Sequence, residues 1–398
     1  MNLTGFPSPL SGLRVLDLTS VVYGPYATQT LGDFGADIIK IEPPDGDMTR
    51  AIGPGKSPDM GALYLGSNRN KRSIVLDLKK ENARDALWQL IDGADMIVHN
   101  IRPQKMLALG FGPDAVLARK PDIIYGALLG YHEEGPYGGM PAYDDVIQGQ
   151  SGLAGTFTAR DGEPVLIPTI VADKTAALLA TNGLLAAVIR RMASGKGVFI
   201  ETSMFEGLAG YTLVEHQYGA VFDPPLSGLG YPRMLSRDRR PFPTIDGFIC
   251  MMAYTDKHWR SFFELTGQPE LSDDPRFSRI GERAKNIDAL YQLIGGPLAQ
   301  KTSQEWLKIL KDVEIPSGPV NRLEDLRDDE HLNAVGFFRP FNHPTEGDME
   351  IPDTPYRLDG NPLPVHRHHP LLGEHTSEIL SEAGLSEAEI AAILEDKA

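Results

Sequence analysis

Asp173 stands at the head of an apolar run, VADKTAALLATNGLLAAVIRRMASGKG, and is the first residue whose type and place could do chemistry. An Asp ahead of a helical run predicts an N-cap, in which the carboxylate accepts orphan backbone N–H groups and the helix dipole favours the anion. A carboxylate so placed is expected to stay ionised, as a carboxylate nucleophile must be. Capping alone explains most such residues, so the segment does not by itself establish catalysis. In AYDDV, residues 142–146, Asp144 and Asp145 are adjacent; neighbouring side chains point apart, so no acid–base pair is implied. Asn100, Arg102 and Lys105 follow the strand-like MIVHN, and a phosphate-bearing ligand is expected there, at the carboxyl edge of an α/β sheet. NRNKRS, residues 68–73, puts Arg69, Lys71 and Arg72 ahead of the strand-like SIVLDLK. On the residues alone that cluster reads as a solvated turn in preference to an anion site.

Two nucleotide signals fail. RAIGPGKS ends like a phosphate loop, but Arg50 stands where the motif needs Gly and no strand precedes it. The turn after the first strand lacks G-x-G-x-x-G, so no dinucleotide is expected. HRHH, His366 to His369, lies between Pro364 and Pro370, which impose an extended chain and scatter the rings; a solvated tail is expected, and no metal.

The elements that must position these residues alternate. RVLDL, DIIKIE, SIVLDL, MIVHN and DIIYGALLG are β-branched runs separated by helical patterns, which implies βαβ units and a parallel sheet covered on both faces. The run at Asp173 predicts a helix of roughly 20 residues ending at Arg190, Arg191 and the glycines Gly195 and Gly197. From Phe222 to Pro243 the chain is rich in Pro and Arg without a period, as a linker or an active-site loop would be. Beyond it a strand at GFICMMAY and helices near 258–266, 286–299 and 304–310 predict a smaller α/β domain.

At 398 residues the chain is expected to hold two domains. Its net charge of −16 argues against a nucleic-acid partner, which needs a basic surface. One cysteine, Cys250, cannot form an intramolecular disulfide and fits a reducing compartment; inside FICMMA it is expected to be buried. No stretch is read as a membrane span, and the N-terminal residues lack the regions of a signal peptide, so no membrane is expected and the expected location is cytoplasmic.

Seven blocks in one order carry a resemblance that spans nearly the whole chain: RVLDLTSVVYGPYATQTLGDFGADIIKIE, GDMTR, NRNKRSIVLDLK, AYDDVIQGQSG, the Asp173 run, IPSGPV and PLLGEHT. Together they resemble class III CoA-transferases, the family of formyl-CoA transferase, carnitine CoA-transferase and α-methylacyl-CoA racemase. The resemblance implies a Rossmann-like parallel-sheet large domain, residues 1–222 and 327–398, plus a smaller α/β domain, 223–326, in an interlocked homodimer. It makes Asp173 the catalytic aspartate, which attacks an acyl-CoA thioester to give a mixed anhydride and then an aspartyl-CoA thioester that an acceptor acid discharges. Coenzyme A and acyl-CoA enter as substrates, with no prosthetic group. The matching CoA positions are Val22, Tyr23, Leu76 to Lys79, Asn100 to Arg102, and Gly130, Tyr131 and His132, with Lys79 and Arg102 facing phosphates. Pro43 and Ala108 stand where formyl-CoA transferase has arginines, so Arg72 or Lys105 is expected to take their part. A relative's glycine-rich closing loop is replaced by Ser227–Phe242, whose arginines Arg233, Arg237, Arg239 and Arg240 suit a second carboxylate, as in succinate. The alternatives are a 2-methylacyl-CoA racemase, whose pattern has His where this chain has Tyr143, leaving His132 as a substitute base, and a CoA-binding protein without turnover.

Overall fold

The computed structural model describes residues 8–395. Six runs form parallel strands: β1 (Arg14–Leu18), β2 (Asp37–Glu42), β3 (Lys71–Val75), β4 (Met96–His99), β5 (Ile124–Leu129) and β6 (Val198–Ser203). Their order is β3-β2-β1-β4-β5-β6, parallel throughout. This is the order of doubly wound nucleotide folds. β1 to β5 are buried nearly end to end; β4 and β5 are almost wholly apolar, whereas β1 to β3 bury the charged Asp17, Lys40, Glu42, Lys71 and Arg72 among their apolar residues. The chain moves outward from β1 to β3 and then resumes with β4 on the other side of β1. The edge between β1 and β4 is therefore a switch point, where the loops above the two strands diverge and leave room for a ligand.

The helices on this sheet are α1 (Tyr23–Asp33), α2 (Glu81–Asp92), α3 (Pro103–Leu109), α4 (Asp144–Gln150) and α5 (Val171–Ser194). In α2 the buried residues Ala83, Ala86, Leu87, Leu90 and Ile91 recur at one helical face. Burying Leu87 there is worth about 1.5–3 kcal/mol, and truncating it to Ala costs about 2–5 kcal/mol because the cavity cannot close. α5 runs 24 residues and ends, as its sequence predicts, at Gly195 with φ +67°. Its buried stripe of Ala172, Ala176, Ala177, Ala180 and Leu184 brings it close to α1 and β6. By length and composition α5 is also apolar enough to cross a membrane, which corrects the sequence reading that no stretch qualifies. Its small-residue face is packed in this fold against α1 and β6.

A second compact unit comprises 152–166 and 211–335; the first comprises the described residues up to Ser151, then Ile167–Gly210, and those from Gly336 onward. Within the second unit, β7 (Phe242–Pro243), β8 (Phe248–Met251) and β9 (Ser317–Pro319) form an antiparallel sheet. α6 (Asp256–Leu265), α7 (Ile287–Leu298) and α8 (Ser303–Asp312) pack around Trp259, Phe262, Phe263, Leu290, Ile294 and Trp306. α8 begins with a capping box between Thr302 and Glu305. Cys250 is exposed, not buried as FICMMA suggests, because the strand period turns Ile249 inward and Cys250 outward. The chain then returns to the first unit with α9 (Thr376–Glu382), whose Ile379 and Leu380 join the core of Leu87 and Leu90.

The cation-rich NRNKRS is not a solvated turn. Lys71 and Arg72 lie inside β3, which starts two residues earlier than SIVLDL suggests, and their side chains are buried. Lys71 Nζ donates to Asp17 Oδ2 at 3.0 Å, and Arg69 is paired with Asp33 at 2.8 Å. HRHH is likewise drawn into the fold. The Pro370 carbonyl accepts from Tyr64 at 3.0 Å and from Arg50, His369 is buried, and His343 Nε2 lies 2.8 Å from the His369 carbonyl.

Candidate active site

Segments at the carboxyl edge of the sheet enclose a cavity of about 460 Å³. The β1–α1 turn contributes Ser20, Val21 and Tyr23; the segment after β4 contributes Asn100, Arg102 and Lys105. The end of β5 adds Gly130 and Tyr131, Tyr143 approaches from just ahead of α4, and Asp173 enters from the first turn of α5.

Asp173 is not the cap of its helix. Ile170 holds that position and Asp173 is the third residue of α5. The orphan N–H groups of Ala172 and Asp173 are taken instead by Asp144, whose Oδ1 accepts them at 2.8 and 3.0 Å. Asp144 is buried at the start of α4, and its Oδ2 accepts from Gln148 Nε2 at 2.6 Å. A remote carboxylate thus does the capping, and the Asp173 carboxylate is left to face the cavity. Burial, followed by the nearby charge of Asp144, pushes the Asp173 carboxyl up to about 6, while the backbone N–H of Tyr23 pulls it back. The expectation of a fully ionised cap is corrected accordingly: this group is anionic at neutral pH, yet held in surroundings that oppose its charge. Such a carboxylate is a better nucleophile than a solvated one, since it has less stabilisation to lose on attack.

The turn that delivers the Tyr23 N–H is built with care. Val21 has φ +70°, a left-handed conformation that strains a β-branched residue. Asn100 clamps the turn from β4: its Oδ1 accepts from Ser20 N at 3.0 Å and its Nδ2 donates to the Ser20 carbonyl at 2.8 Å. Asp47 Oδ1 accepts from Val21 N at 3.2 Å, and Lys40 Nζ donates to the Thr19 carbonyl and to Asp47 Oδ2, each at 2.9 Å. Gly24 allows the close approach, since a Cβ there would lie 2.2 Å from Thr19 Cβ. The Tyr23 hydroxyl donates to the Thr202 carbonyl at 2.9 Å; burial and the Asp173 charge raise its pKa, so it is a neutral anchor.

Arg102 and Lys105 are exposed on the cavity rim, on the N-terminal turn of α3, and neither makes an ion pair among the described residues. Tyr131 is buried, donates to Gln150 at 2.6 Å and packs edge-on against Tyr137. At Gly130 a Cβ would meet Ala142 at 2.3 Å.

Other sequence candidates lie outside this lining. Val22 is the buried cap of α1, and the Leu76 side chain belongs to the core. Lys79 is exposed beyond β3, which β2 separates from β1. His132 is absent from the lining between Tyr131 and Glu133, and its Nδ1 sits 2.7 Å from Glu201 Oε1. Arg72 is corrected outright as a phosphate ligand. Its guanidinium, 3% exposed, is committed to Asp37 at 2.6 Å and to Glu378 and Glu382 at 2.8 Å, tying β3 to β2 and α9. Sequence reasoning weighed Asp144 only as one of an adjacent pair and missed its capping role, and it missed Asp47 altogether, because both act on backbone N–H groups remote in sequence and no local pattern encodes such a contact.

With that geometry in hand, comparison with known proteins is direct. The CoA-transferase family III profile matches residues 10–376. Succinyl-CoA:glutarate CoA-transferase of Mus musculus is 31% identical over 376 residues, covering 94% of this chain and 86% of its own length. Succinyl-CoA:mesaconate CoA-transferase of Haloarcula hispanica is 32% identical over 390 residues, covering 94% and 96%. The crystal structure of Rv3272 from Mycobacterium tuberculosis superposes with a TM-score of 0.80 at 29% identity, covering 93% of this chain and 98% of that one. The chain belongs to CoA-transferase family III.

Proposed function

We propose that this enzyme moves CoA from an acyl-CoA thioester to a free carboxylic acid with Asp173 as the nucleophile. The observation that carries the reading is the half-buried Asp173 carboxylate, facing a cavity at the switch point of the sheet with its pKa raised to about 6. The carboxylate attacks the thioester carbonyl and expels CoA thiolate, leaving an acyl-aspartyl anhydride. Thiolate then attacks the aspartyl carbonyl, releasing the donor acid and leaving an aspartyl-CoA thioester. The acceptor carboxylate attacks that thioester, thiolate leaves and a second anhydride forms; thiolate takes the new acyl group and Asp173 is restored. Oxyanions that develop at the aspartyl carbon meet the backbone N–H of Tyr23, a donor already in place before reaction. Arg102 and Lys105, which pair with no acid among the described residues, suit the CoA phosphates, and Gly130 lines the β5 end where a narrow pantetheine chain would pass. Succinate, glutarate and mesaconate, named for the relatives, are dicarboxylates, and a dicarboxylic acid is the acceptor class this reading favours. An interlocked homodimer belongs to the same proposal.

Intact-protein mass after incubation with a panel of acyl-CoAs tests this. A CoA-sized, hydroxylamine-labile increment that is absent in Asp173→Ala is the expected result. No increment with any donor, alongside deuterium exchange at the α-carbon of a 2-methylacyl-CoA, would replace the transferase by the racemase.

A further inference from the structure

The second unit holds a cavity of its own, about 580 Å³, lined entirely by residues of that unit. Three arginines, Arg233, Arg239 and Arg240, reach it, and no acidic side chain among the described residues lines it. In a chain of net charge −16 such a concentration of unopposed positive charge is unexpected. Arg239 and Arg240 are exposed and make no ion pair among the described residues. Arg233 is oriented by two neutral contacts, Nε to the Tyr291 hydroxyl at 3.0 Å and Nη2 to Met252 Sδ at 2.7 Å, which aim the guanidinium without neutralising it. The remaining wall is apolar: Met234, Phe242, Met251 and Met252 stand beside the prolines Pro241 and Pro316. Methionines and a phenyl ring accept a flexible hydrocarbon chain, and guanidinium forks accept carboxylates. An inorganic anion would satisfy the arginines and leave the apolar wall wet.

We infer that this cavity binds an aliphatic carboxylate, its headgroup on Arg239 and Arg240 and its carbon chain against the methionines. The shared chemistry is a carboxylate on an apolar chain; a dicarboxylic acid and a fatty acid both present it. The inference rests on the proposed function only in naming carboxylic acids as the molecules this enzyme meets.

The cavity carries its own reporter. Cys250 is the single cysteine of the chain, is exposed, and lies in the lining. Labelling of the full-length protein with N-ethylmaleimide, a neutral reagent, read by intact mass, therefore measures occupancy directly and independently of turnover. The probes are glutarate, suberate, octanoate and inorganic phosphate at matched ionic strength. A ligand at about ten times its dissociation constant leaves about one site in eleven free, so labelling is expected to slow about tenfold. Suberate protecting more than octanoate identifies a dicarboxylic acid, and the reverse identifies a fatty acid; either supports the site. Arg239→Gln with Arg240→Gln is expected to label at the unliganded rate and to lose protection. Equal labelling with and without every carboxylate overturns the inference, as does protection by phosphate equal to that by suberate, or protection that survives the double substitution. In the same samples the CoA increment on Asp173 is read separately. Its presence without Cys250 protection sinks this site alone, and protection without the increment sinks the transferase mechanism alone.

Discussion

The buried network under the β1–α1 turn and the cavity above it use the same residue types in opposite ways. Below the turn every charge has a partner: Asp17 with Lys71, Asp47 with Lys40, and Glu42 with Arg50 at 2.7 Å. Burial alone would raise the Asp17 carboxyl, but Lys71 and Lys40 hold it down at about 2. Above the turn the Asp173 carboxylate meets no cation among the described residues; burial and a second carboxylate push it up to about 6. Arg72 and Arg102 repeat the contrast, the first locked among three acids and the second uncommitted at the cavity rim. Satisfied charges fix the geometry, and the frustrated ones are left for chemistry.

The largest effect expected from breaking this contrast is on the satisfied side. Lys71→Met leaves Asp17 buried without its partner and is expected to cost about 3–5 kcal/mol in urea unfolding. A loss below about 1 kcal/mol would show that the network is not what holds the turn. On the other side, Arg102→Ala with Lys105→Ala is expected to raise the KM for acyl-CoA roughly tenfold or more with kcat little changed, and to flatten its salt dependence. Arg72→Ala should do the reverse, lowering stability and leaving KM where it was. If Arg72→Ala raised KM as much as the pair does, the assignment of the uncommitted cations to CoA would fail.

Much of the frame was legible in the sequence. RVLDL, DIIKIE and the C-terminal end of α5 lie where their patterns put them, because local propensity and burial agree there. Asp173 could be found from its place before an apolar run and, through family resemblance, as a candidate catalyst. Its environment could not be found that way. Whether a charge is paired depends on residues far along the chain: Arg72 finds Glu378 and Glu382, and the N-terminus of α5 finds Asp144. The same limit misled the reading of NRNKRS, and of His369 within HRHH, as solvated, while His366 and Arg367 are exposed as expected; composition carries no record of what packs against it. Val21 shows a third limit, a backbone strain imposed by Asn100 and Asp47 on a residue that would not choose it.

Asp144 joins the two sides, being a structural cap whose charge acts on the Asp173 carboxyl. Asp144→Asn keeps an oxygen for the α5 N–H groups but sets an amide N–H against Gln148 Nε2, so a stability loss of about 1–2 kcal/mol is expected. Because a like charge disappears, the Asp173 pKa should fall, and the acid limb of the kcat/KM profile should move to lower pH. An unmoved limb would mean that burial alone sets the Asp173 pKa.

The smallest effect is the most diagnostic of frustration at Asp173. Its carboxyl is raised from 3.8 to about 6 in the folded state, so between those values the folded protein binds the proton that the unfolded chain has released. Stability from this group is thus full below pH 3.8 and declines as pH rises toward 6, after which the ionised form carries a constant penalty. Asp173→Asn imitates the protonated acid and still offers an oxygen to the Tyr23 N–H. It should match the parent near pH 4 and exceed it at pH 7 by about 1 kcal/mol, a figure discounted for partial solvent exposure. Denaturant midpoints at the two pH values measure the gap. A variant no more stable than the parent at pH 7 would mean that Asp173 is as comfortable in its cavity as Asp17 is beneath it, and the division between satisfied and frustrated charge would collapse.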